Sequence, residues 1–201
     1  LALIQNISNT DSCISVDNIK DILNGKITRW NQIYPKSKIG EITIVFDNPN
    51  SSAVHFVEDS ILGGKPILNK NVAAVKKTAE VIKYVEENKG AIGIIGSNWL
   101  NDKRDTTNLT FKKEIRPMAV SSVPIANVQN SLKPYQYYIF NGSYPLARTL
   151  YILLNDTHMG LPTGFSNFII SQDKGQKIIL KTGLLPAYGN LTVRNVRVSN
   201  E

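Results

Sequence analysis

Cysteine is almost absent from this chain: among 201 residues only Cys13 carries a thiol. One cysteine forms no internal disulfide and no thiol-based zinc site, and its apolar neighbours read it as a small core residue. Histidine is as scarce, with only His55 and His158, which argues against a histidine-built metal centre. Aromatic residues make up 8% and form no stacking platform for single-stranded nucleic acid. No apolar run approaches the ~20 residues that cross a bilayer. The Gly-x-Ser-x-Gly elbow, the His-Glu-x-x-His helix and the Gly-x-x-x-x-Gly-Lys-Ser/Thr phosphate loop are all missing. Asp47 and His55 lie near Ser51, but their spacing supports no catalytic triad. No cofactor is implied, and no internal repeat, low-complexity tract or Gly/Ser linker breaks the chain.

What is present is a globular composition, 42% hydrophobic and 19% charged, with a net charge of +7. The basic residues are scattered, the densest pairs being Lys76-Lys77 and Lys112-Lys113. No stripe or nucleic-acid motif organises them, so they read as a solvated surface or as attraction for a small anion. The chain opens Leu1-Ala2-Leu3 with neither an initiator Met nor a signal-peptide pattern. It is expected to be a processed or trimmed piece whose targeting signal has gone.

Periodicity predicts alternating strands and helices, hence an α/β fold. Strands are expected at residues 1–5, 41–46 and 91–95, the last with Gly93 marking a close backbone approach. Val16, Ile19, Ile22 and Leu23 recur at helical spacing behind a Ser15 cap, with Gly25 just past the end. A second helix carries Val54, Val57, Ile61 and Leu62 and stops at Gly63-Gly64. A third runs over residues 78–88, capped by Thr78 and stopped by Gly90. Residues 101–108 read as a polar loop. Residues 115–120, 137–140 and 149–154 read as strands, residues 164–170 and 175–180 as short helices, and residues 191–198 as an edge strand or hairpin arm.

The sharpest local feature is a strand, then Asp47-Asn48-Pro49-Asn50-Ser51-Ser52, then a helix. A helix start presents unpaired N–H groups and partial positive charge. Serine hydroxyls add donors, so the turn suits phosphate, sulfate or carboxylate. In open α/β sheets ligands sit at such carboxyl ends of strands. A plain N-cap and an ordinary Asn-Pro turn would read the same way. His55, one turn further on, either faces that pocket or lies on the surface. Arg148, after Tyr144-Pro145-Leu146, either clamps an oxyanion or makes a structural ion pair.

Several motifs in order resemble one family. Residues 19–30, Ile-Lys-Asp-Ile-Leu-Asn-Gly-Lys-Ile-Thr-Arg-Trp, are similar to the I-x-x-I-(F/L)-x-G-K-I-T-x-W stretch of phosphate-binding subunits of bacterial ABC importers. Asn88-Lys89-Gly90-Ala91-Ile92-Gly93-Ile94 resembles that family's A-I-G-Y strand, and Tyr144-Pro145-Leu146 its Y-P-(I/L) element. Residues 175–186 resemble its closing G-Q-x-x-(I/L)-x-x-x-G-(L/Y)-L-P helix. The nearest likeness is to the divergent Bacteroidetes branch, with a Ser-Ser-x-x-Arg type of turn.

The resemblance implies a periplasmic-binding-protein-like (type II) fold, a mixed sheet flanked by helices in two lobes that close on an oxyanion. Carried over, the ligand positions are Asn50, Ser51, Ser52 and Ala53, with His55 and Arg148 as sources of charge. Phe46 stands where the importers commonly have Arg, His55 where the divergent branch has Arg, and Ala53 lacks a hydroxyl. Residues 1–140 would form the second lobe and residues 141–201 a return segment of helices in an incomplete first lobe. The implied role is non-catalytic binding of phosphate or a similar oxyanion for an ABC permease. It would be played in the periplasm or at the cell surface by a lipoprotein, peripheral to the membrane through an anchor since lost. An interaction or sensor domain that kept the fold and lost the ligand is the alternative.

Overall fold

The computed structural model describes residues 1–100, 114–155 and 160–187. The expected loop at 101–108 and the expected edge strand at 191–198 lie outside them. Contacts divide the chain into two compact units, Leu1–Leu150 and Tyr151–Glu201.

The first unit is built on a five-stranded mixed sheet. Its strands are β1 (Ala2–Asn6), β3 (Thr43–Phe46), β4 (Val72–Ala74), β5 (Ala91–Ile95) and β6 (Ile115–Pro117), in the order β4-β3-β5-β1-β6. β3 runs parallel to both β4 and β5, while β1 runs antiparallel to β5 and β6. A smaller sheet joins β2 (Cys13–Ser15), β7 (Ala119–Ser121) and β8 (Ser131–Leu132) in the order β2-β7-β8.

Alternation along the strands divides the core into two layers. Leu1, Leu3, Ile44, Phe46, Ile92 and Ile94 face one layer, which also holds Trp30 and helix α1 (Val16–Leu23) through Ile19, Ile22 and Leu23. Ala2, Ile4, Val45, Ala91 and Ile95 face the other, packed under helix α3 (Thr78–Glu87) through Val81, Ile82 and Val85. A Cβ on Gly93 would come within 2.8 Å of Ile4 and Val81 and 2.9 Å of Val85. That is the close approach expected of a glycine inside a strand.

The residues of the I-x-x-I-(F/L)-x-G-K-I-T-x-W stretch acquire physical roles. Ser15 caps α1 by accepting from the Asn18 amide at 3.0 Å. Gly25 takes φ +75 just beyond the helix, where a side chain would be strained. Trp30 is fully buried and donates its indole N–H to the Gly90 carbonyl at 3.0 Å. This bond ties the segment that follows α1 to the turn that stops α3.

Four expectations need correction. Residues 115–120 are two strands in two sheets: Met118 separates β6, paired with β1, from β7, paired with β2. Residues 137–140 lie in a helix, α4 (Gln136–Phe140), because a short apolar run cannot by itself distinguish strand from helix. Residues 149–154 form no strand, and Tyr151 and Leu153 are largely exposed. Thr78 does not cap α3; the cap position is Lys77, and the Thr78 hydroxyl donates to Asp47 instead.

In the second unit, α5 (Leu161–Ile170) and α6 (Gly175–Lys181) pack at a tight corner. A Cβ on Gly175 would lie 2.3 Å from the Phe168 carbonyl oxygen, so only glycine fits. The neighbouring Gln176 side chain donates to the Ile169 carbonyl at 2.8 Å. These two contacts are what the Gly-Gln pair of the closing motif does.

Candidate functional site

Strand β3 ends at Phe46, and the chain turns through Asn48, whose side-chain oxygen accepts from the Asn50 amide at 2.8 Å and whose carbonyl accepts from the Ser51 amide at 3.1 Å. Helix α2 (Ser52–Phe56) follows and continues as a π-helical stretch, Val57–Ile61. Gly63 and Gly64, with φ +66 and +80, end the run. Ser51 is the N-cap: its hydroxyl accepts from the Val54 amide at 3.3 Å, and its carbonyl from the His55 amide at 3.1 Å. Among the described residues nothing accepts from the Ser52 and Ala53 amides. Two N–H groups at a helix start are therefore left for another acceptor.

Arg148 reaches this helix start and donates from Nη1 to the Ser52 hydroxyl oxygen at 2.8 Å. The segment that carries it is held by buried anchors. The Tyr144 hydroxyl, 2% exposed, donates to the Leu1 carbonyl at 2.9 Å, and the Leu1 nitrogen donates to the Leu146 carbonyl at 2.7 Å. Burial raises the Tyr144 hydroxyl well above its ordinary value, so it stays a donor. The Tyr-Pro-Leu element thus docks the chain on β1 and sets Arg148 over the turn.

Asp47 adds the opposite charge. Its Oδ2 accepts from the Thr78 hydroxyl at 3.3 Å, and its Oδ1 is buried with no partner. Burial pulls the Arg148 value down, and attraction to Asp47 opposes that pull. A guanidinium stays charged under such a balance.

The structure thus brings Ser51, Ser52, Ala53 and Arg148 together at one helix start. Asn50 is exposed in the turn beside them. Ala53 is buried, so its backbone N–H is what it offers, while its methyl packs in the core. His55 is exposed on α2, with no side-chain bond to Ser52 or Arg148 among the described residues. Phe46, at the position where the resembled family commonly has Arg, is 1% exposed and packed in the core. Sequence reasoning gave Asp47 and Thr78 no role at the site. The Asp47–Thr78 bond spans 31 positions and has no local signal. Among the described residues no group of His, Cys, Asp and Glu is placed to hold a metal ion, and no helix is long and apolar enough to cross a membrane.

Strand β3 hands its carboxyl end to a helix start inside a mixed sheet covered on both faces, and in open α/β sheets ligands bind at such ends. A family model described as the PBP superfamily domain matches residues 1–173, and the chain belongs to that family. It is similar to the phosphate-binding protein PstS of Staphylococcus saprophyticus, 24% identical over 168 residues that cover 81% of this chain and 47% of that protein. PstS of Bacillus subtilis is 26% identical over 178 residues, 86% of this chain and 50% of that protein. The chain therefore spans about half the length of the curated relatives it matches. The crystal structure of an ABC-type phosphate transport receptor from Vibrio cholerae superposes with a TM-score of 0.64 at 18% identity, covering 92% of this chain and 68% of that one. At that identity it supports the fold.

Proposed function

We propose that this chain is the anion-holding part of an extracytoplasmic solute-binding protein that takes phosphate, or a similar small oxyanion, and passes it unchanged to an ABC permease. The observation that carries the reading is the 2.8 Å bond from Arg148 to Ser52 at the start of α2. A serine hydroxyl has two acceptor lone pairs and one donor. Because Arg148 takes an acceptor side of Ser52, the hydroxyl hydrogen is left for an anion. That hydrogen, the free Ser52 and Ala53 amides and the guanidinium charge make one convergent set of donors. Asn50 and Ser51 shape the turn, and His55 lies one turn further along the same helix.

The buried, unpartnered Oδ1 of Asp47 is an acceptor in the same neighbourhood. The names of the relatives, phosphate-binding proteins and an ABC-type phosphate receptor, support the same ligand and transport context. On this reading residues 1–140 belong to the second lobe and residues 141–201 return to the first. The protein works in the periplasm or at the cell surface, held at the membrane by a lipid anchor, and it has no catalytic step.

The test is calorimetric titration of the intact gene product with phosphate and with sulfate, paired with thermal shift. One-to-one phosphate binding with a raised melting temperature is expected, and weaker sulfate binding. No heat and no shift with either anion overturns the reading.

A further inference from the structure

A separate cavity of about 310 Å³ lies beside the small sheet, lined by residues from β2, β6, β7, β8 and α4 and their flanks. It shares no lining residue with the Ser52–Arg148 site. Its charged members are Arg116 and Lys133, and Ser12, Ser131, Tyr135 and Tyr138 are polar residues of its wall. Pro117, Ala119, Val128 and Leu132 supply apolar surface.

The polar groups behind this wall are under-satisfied. Arg116 donates from Nη2 to the Asn9 carbonyl, which also accepts from the Gln5 side chain at 3.3 Å. Those bonds hold the guanidinium by one end. Its Nε is buried and has no acceptor among the described residues. The adjoining turn leaves Asn9 Nδ2 and Asp11 Oδ2 buried and unpaired as well, and Asn9 is 0% exposed. Arg116 lines the cavity with Nη2 bonded to the protein, and the same guanidinium can give a ligand acceptor in the cavity a charge-assisted bond.

We propose that this cavity is a second binding site, one that takes a small organic carboxylate. The carboxylate would accept from Arg116, with Lys133 at the rim completing the charge. The hydrocarbon part would lie against Val128 and Leu132 and the Tyr135 and Tyr138 rings. Size decides against a bare inorganic anion, which would leave most of 310 Å³ unfilled, whereas this volume is at the lower end of the roughly 300–1,000 Å³ typical of small-molecule pockets. The proposal stands independently of phosphate binding at Ser52.

Cys13 lies in the cavity wall and is the only cysteine among the 201 residues, so a thiol reagent reads this cavity when the peptide that contains Cys13 is quantified by mass spectrometry. The test uses benzoate as the probe, on the intact gene product, with benzamide as the uncharged control. Benzoate is expected to slow iodoacetamide labelling of Cys13 at least fivefold, and to shift the backbone NMR signals of Val128, Leu132 and Lys133. Benzamide should do neither. Arg116→Gln should abolish benzoate protection. Lys133→Gln, on a half-exposed residue whose loss leaves the fold intact, should weaken it severalfold even if Arg116→Gln fails to fold. Saturating phosphate should leave benzoate binding unchanged. Three results each overturn the proposal: unchanged labelling and signals at saturating benzoate, equal binding of benzamide, or displacement of benzoate by phosphate together with its loss in Arg148→Gln.

Discussion

The Arg148 guanidinium and the Ser52 hydroxyl, 96 positions apart in sequence, share a 2.8 Å hydrogen bond at the start of α2. If both serve one anion, their substitutions are coupled. Ser52→Ala and Arg148→Gln should each weaken phosphate binding by about 10-fold or more, near 1.4 kcal/mol, the scale of a charge-assisted hydrogen bond. The double variant should lose less than the sum of the two. Calorimetry on the four proteins measures this, and strict additivity would separate the residues into unrelated roles.

The adjacent serines should divide stability from affinity. Ser51 caps α2 through the Val54 amide, so Ser51→Ala should cost about 1 kcal/mol in urea unfolding. Ser52 is exposed and caps nothing, so Ser52→Ala should stay within about 0.5 kcal/mol of the parent. Equal destabilisation by both would show that Ser52 is structural.

Gly93 should tolerate no side chain. An added methyl would press on Ile4, Val81 and Val85 at under 3 Å. Gly93→Ala is therefore expected to lower stability by about 1–3 kcal/mol through overpacking, read as a fall in the urea midpoint with an unchanged slope. A variant as stable as the parent would mean that α3 is free to lift from the sheet.

Alkaline pH should weaken the first unit through its tyrosines. Burial first, then the Cys13 thiol and the Asp11 carboxylate, push the Tyr34 hydroxyl up to about 12 from an ordinary 10. Below pH 10 the folded and unfolded chains both keep that proton, and the contribution is intact. Between pH 10 and about 12 the unfolded chain loses it first, so stability falls as pH rises. Urea midpoints measured across that window should drop, with a shallower drop in Tyr34→Phe and a residue left by Tyr144, which shifts the same way. A midpoint independent of pH there would contradict the partial burial of Tyr34 and the full burial of Tyr144.

Local chemistry made much of this fold legible. Ser15, the apolar spacing of α1 and Gly25 mark their helix without tertiary help, and Gly93 announces its crowded strand. The Ser51 turn was readable because a cap and an anion site draw on the same unpaired amides. The misread segments lacked a local determinant. Residues 115–120 look like one strand, yet Ile4 pairs with Pro117 while Cys13 pairs with Ala119, so partners far away decide where the strand breaks. Residues 149–154 carry strand-forming side chains but find no partner strand among the described residues, and pairing is what makes a strand. Arg148 could be suspected from its type, but its bond to Ser52 depends on Tyr144 reaching Leu1.

That last contact sets an order of events. The Tyr144 hydroxyl closes on Leu1 across 143 positions, among the longest loops the first unit must close, and such closures come late in folding. The serine turn and its free amides are assembled from residues already near one another. The guanidinium arrives only when the final segment is stitched to the first strand. A chain cut before Tyr144 would hold the donors without the charge, so a protease acting there would silence the site while leaving most of the sheet in place.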